Sequence, residues 1–155
     1  MATALALIAF TTLSLASQVG EKISLMATKK HPSANGTALM NDTNIKIDVK
    51  GLKPNSVYTA WFVNTKPKKH ETGADQAPYM FKTDSNGNGS YSAPLKESPY
   101  GKWQMLMIVL HPNGDPRDMK NMVGVLSAKL MQNEWQMPPQ ISIDFTMVFE
   151  LIKIN

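Results

Sequence analysis

Apolar and polar side chains alternate along much of this chain. Ile45, Ile47 and Val49 are separated by Lys46 and Asp48, with Asn44 and Lys50 outside them. A period of two puts one set on each face of a pleated strand. The longest run is Ile141, Ile143, Phe145, Met147, Phe149 and Leu151, with Ser142, Asp144, Thr146, Val148 and Glu150 between them. A helix would scatter these six apolar residues around its circumference, whereas a strand gathers them on one face. Further strands are predicted at Ile23–Lys29, Thr37–Met40, Val57–Asn64, Tyr79–Thr83, Ser90–Ala93, Lys102–Leu110 and Val123–Leu130. Val57–Val63 and Trp103–Leu110 are apolar on both faces, as central strands covered on both sides are.

Turn chemistry separates these runs at Gly51–Ser56, Asp84–Gly89 and His111–Pro116, where Pro presets φ and Gly or Asn accepts positive φ. Roughly eight or nine short strands with frequent turns predict an all-β fold, an antiparallel sandwich or barrel. The expectation is a Greek-key β-sandwich, immunoglobulin-like in architecture. One helical turn is expected within Asp115–Met122, and Pro138-Pro139 breaks the chain before the last strand.

The start of the chain follows a different pattern. Met1 to Gly20 carry no charged side chain, and Ala2 to Ala16 are almost all apolar or small. This divides the chain into residues 1–20, a signal peptide or membrane-anchor helix, and a β-sandwich domain at 21–155. Ala4–Ala16 has the length of a signal-peptide hydrophobic region, and Ser14-Leu15-Ala16 offers small residues before a possible cut at Ser17. No Lys or Arg precedes it. As a retained helix, Ala2–Val19 would be roughly 27 Å long, which barely crosses a bilayer core. Lys22, Lys29 and Lys30 follow it and favour a cytoplasmic domain if the helix stays. Export is the favoured reading, placing the domain outside the cytoplasm: in the periplasm, on the cell surface or secreted. If the leader is retained, residues 1–20 hold the domain on a membrane.

The chain has no cysteine. That excludes disulfides, thiolate metal sites and a Cys nucleophile. Net charge is +4 and the sequence pI is about 9.3, with the densest cluster at Lys66, Lys68, Lys69 and His70. A nucleic-acid binder shows a denser basic face with interleaved aromatics, so no nucleic-acid partner is expected. The cluster reads as a solvated loop, with anionic lipid or an acidic partner as the lesser reading.

Methionine is over-used, with eleven in the chain. Met105, Met107, His111, Met119 and Met122 form the one candidate metal set, because thioether and imidazole donors suit Cu(I). The competing reading is that methionine fills irregular gaps in a core. Asp84-x-Asn86-x-Asn88-Gly89 resembles half a calcium loop but lacks the acid at its twelfth position, where Leu95 stands. A Gly-rich turn fits it better. His31, His70 and His111 are scattered, and no nucleophile elbow, zincin or phosphate-binding glycine motif is present. No catalytic residue is assigned. No cofactor is expected outside the copper alternative.

Gly51-Leu52-x-Pro54-x3-Tyr58-x2-Trp61, then Phe81-x-Thr83-Asp84-x3-Asn88-Gly89, then the apolar run Met105–Leu110, resembles the extracytoplasmic β-sandwich of anti-sigma-K-type factors across Asn44 to Leu130. The resemblance implies a non-catalytic envelope domain and transfers no active residue. The functional expectation is a structural or accessory subunit of an envelope or extracellular assembly. It would act on a protein partner or on copies of itself, through Trp135 beside Pro138-Pro139 and through Ile141, Phe145 and Phe149 of the last strand. The alternative is a periplasmic copper-binding protein.

Overall fold

The computed structural model describes residues 20–75 and 77–130. Nine strands lie among them: β1 (Glu21–Ala27), β2 (Asn35–Met40), β3 (Asn44–Lys50), β4 (Val57–Asn64), β5 (His70–Gly73), β6 (Met80–Lys82), β7 (Gly89–Pro94), β8 (Met105–His111) and β9 (Val123–Lys129). The alternation in sequence becomes alternation in burial. In β3, Ile45, Ile47 and Val49 are buried while Lys46, Asp48 and Lys50 are exposed. β4 is buried without interruption from Tyr58 to Val63, as its two-sided apolar sequence requires.

All strand pairs are antiparallel, and the strand order is β5-β4-β8-β9-β1-β2-β3-β7. β5 and β6 divide one edge of β4 between them: β5 pairs with Trp61–Asn64 and β6 with Val57–Thr59. β1 is the joint of the fold. Its residues Glu21–Leu25 pair with β2, whereas Met26 and Ala27 pair with Ser127 and Leu126 of β9. The strands therefore follow one curled path, a half-barrel closed around an inner core. β9 contributes a bulge. Ile108 pairs with Leu126 and Val109 with Gly124, so Val125 has no opposite partner and is fully buried.

Ala38, Met40, Ile45, Ile47, Tyr58, Phe62, Leu106, Ile108 and Leu126 fill the inner core. The Tyr58 and Phe81 rings stack with centroids 5.6 Å apart. The segment Asp115–Met122 contains turns and bends but no helical turn, contrary to the sequence expectation. The Asp115 and Asp118 carboxylates accept from the local backbone N–H groups of Arg117, Lys120 and Asn121 instead, which competes with helix. β5 was also not expected, since its sequence His-Glu-Thr-Gly is exposed or half-buried and carries no apolar alternation. The leader at 1–19, Trp135 and the last strand with Ile141, Phe145 and Phe149 lie outside the described residues.

Candidate functional site

The outer face of the β4–β8–β9 region is apolar, which is unusual for a face turned away from the core. Directly paired residues share a face of a sheet. One row across this face runs Gly73, Trp61, Met107, Ser127, Met26. The next runs Glu71, Val63, Met105, Lys129, and a third Met80, Thr59, Val109, Gly124. Trp61, Val63 and Val109 form a second apolar cluster, packed under Tyr79, Met105, Met107 and Met122. Tyr79 meets the Trp61 indole edge-on, with centroids 4.9 Å apart.

The surface offered to solvent is rich in thioethers. Met105, Met107 and Met122 are half-buried, and Met26 is 68% exposed. A hollow of about 200 Å³ opens here, floored by Trp61, Val63, Met107, Val109, Met122 and Gly124. Lys69 and Glu71 stand on its rim and pair at 3.1 Å. Met107 reaches over Gly124, where an added Cβ would stand 3.3 Å from its methyl. A second hollow of about 490 Å³ lies beyond Tyr79, lined by Ala77, Pro78, Pro116, Arg117 and Met119.

Beneath this surface runs a buried polar chain. The Trp61 Nε1–H donates to Thr59 Oγ1 at 2.7 Å, and Thr59 Oγ1 meets His111 Nε2 at 2.8 Å. His111 is 2% exposed and Thr59 is fully buried. The other ring nitrogen, His111 Nδ1, is buried with no partner among the described residues.

Of the five residues chosen as copper ligands, the fold gathers three, Met105, Met107 and Met122, around Trp61. His111 shares their strand face but lies below the surface with Nε2 engaged by Thr59. Met119 is 43% exposed and lines the other hollow. Among the described residues, no three His, Asp or Glu side chains stand close enough to hold a metal ion. The calcium-like segment is a turn between β6 and β7. Asp84 Oδ1 accepts from the Asn86 and Asn88 backbone N–H groups at 2.8 Å each, and Oδ2 accepts from Asn88 Nδ2 at 3.2 Å. Those bonds, led by the Asn88 N–H, hold the Asp84 carboxyl below its ordinary pKa. Asp118 is engaged in the same way by Asn113, Lys120 and Asn121.

On the inner side, burial pushes the Tyr91 phenol up to about 12, with the charge of Asp75 adding to it. Its hydroxyl has no partner among the described residues.

Trp61 was legible as a core or rim anchor. The roles of Val63, Val109, Tyr79 and Met26 at this face were not. The signal was the apolarity of both faces of Val57–Val63, which states that the outer face is covered without saying by what. No family model, curated protein or solved structure matches the chain.

Proposed function

We propose that this chain is a non-catalytic, exported or membrane-tethered β-sandwich that serves as a structural or accessory subunit of an envelope or extracellular assembly. In this reading the half-barrel is the immunoglobulin-like Greek-key sandwich expected from the sequence. The likeness to the extracytoplasmic domain of anti-sigma-K-type factors belongs to the same reading. The observation that carries it is the methionine-capped outer face around Trp61. Unbranched, polarizable thioethers repack readily against a partner surface, and a half-exposed apolar hollow beside an ion-paired rim resembles the centre and edge of a protein interface. Trp135, Ile141, Phe145 and Phe149 are further contact residues in this proposal.

Size-exclusion chromatography with light scattering tests it on the full chain. The wild type is expected to run as a defined assembly. Met26→Glu combined with Met107→Gln, checked by circular dichroism for an intact fold, is expected to weaken association at least about tenfold, the effect of losing on the order of 1.4 kcal/mol. A wild-type chain that stays monomeric at high concentration, and in extracts of its native membrane, counts against the proposal.

A second reading follows from the same face. Met105, Met107 and Met122 all pack against the cluster of Trp61, Val63 and Val109, and thioether donors suit Cu(I). It requires stoichiometric Cu(I) uptake in competition with a chelator, lost in Met107→Leu with Met122→Leu. Absence of uptake by the wild type removes it.

A further inference from the structure

The chain has no cysteine, so its thioethers are the only sulfur open to an oxidant. The fold distributes them unevenly. Met40 is 1% exposed and lies in the inner core. Met26, Met105 and Met107 stand instead on the outer face, in the rows that cross β4, β8, β9 and β1, and Met122 packs beside them. Met26 is the most exposed large apolar side chain among the described residues. Met107 and Met122 line the hollow of about 200 Å³, which has room for a small oxidant. Met119, the other exposed methionine among the described residues, lies off this face at the second hollow.

Hydrogen peroxide oxidises a thioether by two electrons. The sulfur lone pair attacks one peroxide oxygen, an S–O bond forms and the O–O bond breaks. The other oxygen leaves as water with both peroxide protons. The product is a sulfoxide, a polar group where a pliant apolar one stood, and it disrupts methionine-rich contacts. This face is built for an apolar contact. Trp61 and Lys69 are the side-chain donors that line the hollow, and both are engaged: Trp61 Nε1–H donates to Thr59 Oγ1 at 2.7 Å and Lys69 pairs with Glu71 at 3.1 Å. A sulfoxide oxygen covered by a partner there finds no uncommitted side-chain donor in the hollow's lining, and an acceptor buried in that state opposes docking.

We propose that Met26, Met107 and Met122 form a peroxide-responsive site, and that their oxidation to sulfoxides switches the outer face from adhesive to non-adhesive. The switch regulates the contact surface proposed above and rests on that reading. Assembly covers the same thioethers, so the oxidant acts on the free chain and bars it from joining. One sulfoxide buried without a donor weakens association about tenfold. The change is reversible, because methionine sulfoxide reductases restore the thioether, one enzyme for each sulfoxide epimer.

The full chain is treated with limiting hydrogen peroxide at a dilution where it is dissociated, then quenched, concentrated and separated by size exclusion. Peptide mass spectrometry maps sulfoxides in the assembled and free fractions. Sulfoxide at Met26, Met107 and Met122 is expected to be enriched about tenfold in the free fraction. Met119 sulfoxide is expected to divide equally, Met40 to stay a thioether in both, and both reductases to restore assembly. Met26→Leu/Met107→Leu/Met122→Leu keeps apolar volume and is expected to assemble before and after peroxide. The fraction map needs no variant and decides alone should this one not fold. Sulfoxide at the three positions shared equally between fractions, or absent there while Met119 is oxidised, overturns the switch and leaves the assembly standing. So does a triple variant that assembles and still falls apart in peroxide. An untreated wild type that is monomeric at every concentration overturns the contact surface and the switch together.

Discussion

Gly87→Ala is expected to destabilise the fold by about 3–5 kcal/mol, among the largest effects of any single substitution here. Two costs add at this position. Gly87 sits at φ +75°, in the left-handed region where an L side chain is strained by roughly 1–2 kcal/mol. A Cβ there would also stand 2.2 Å from the Leu52 backbone carbonyl oxygen. That neighbour is backbone and is itself held, because the Leu52 N–H donates to the Gly87 carbonyl at 3.1 Å. Relief requires the β6–β7 turn to move away from the β3–β4 loop, which breaks that bond. It also disturbs the Asp84 carboxylate that organises the turn. Gly114 is the control. It has φ +76° but nothing within 4 Å of an added Cβ. Gly114→Ala is therefore expected to cost only the strain, roughly 1–2 kcal/mol. Urea titrations followed by circular dichroism separate the two contributions, and equal losses at both glycines would show that the Leu52 contact is not what makes Gly87 necessary.

Local pattern foretold the individual strands well, and pairing between distant strands poorly. Ile45, Ile47 and Val49 alternate so strictly that β3 was legible in both extent and facing. β4 was read as Val57–Asn64, the range observed. Its centrality, and that of β8, followed from apolar residues on both faces, because only a covered strand tolerates them. β5 was hidden, since an exposed edge strand needs no apolar alternation and His70 belongs to the lysine cluster read as a solvated loop. The joint in β1 was hidden for another reason. Glu21–Ala27 contains nothing that marks where it leaves β2 for β9, because that choice is made by residues about a hundred positions away.

The candidate site divides in the same way. Composition and spacing named Met105, Met107, His111, Met119 and Met122 as one set, and the fold brings Met105, Met107 and Met122 of these together. It separates Met119 from them because the β8–β9 loop carries that residue past Tyr79 to the second hollow. His111 ends a strand that is apolar to its last residue, so it is drawn inward with the strand and held by Thr59. Nothing local to His111 announces Thr59, which stands on the neighbouring strand β4.

Thr59→Val is expected to cost about 2–5 kcal/mol although valine has nearly the same shape. The hydroxyl it removes accepts from Trp61 Nε1 and joins His111 Nε2, at 2.7 and 2.8 Å. Both partners are buried, so neither finds water once the hydroxyl is gone, and each stranded polar group costs about 1–3 kcal/mol. Thr59→Ser keeps the hydroxyl and gives up one methyl group, a loss of about 1 kcal/mol. The ordering Ser better than Val is the reverse of what a purely apolar site would show, since valine buries more hydrocarbon. Thr59→Val combined with His111→Leu is expected to recover part of the loss, because one stranded group and the already unpartnered His111 Nδ1 are removed together. Urea midpoints by circular dichroism measure all three variants without relying on the Trp61 fluorescence they perturb. If Thr59→Val were no worse than Thr59→Ser, the polar chain under the methionine face would contribute nothing. The outer face would then depend only on the packing of Trp61, Val63 and Val109.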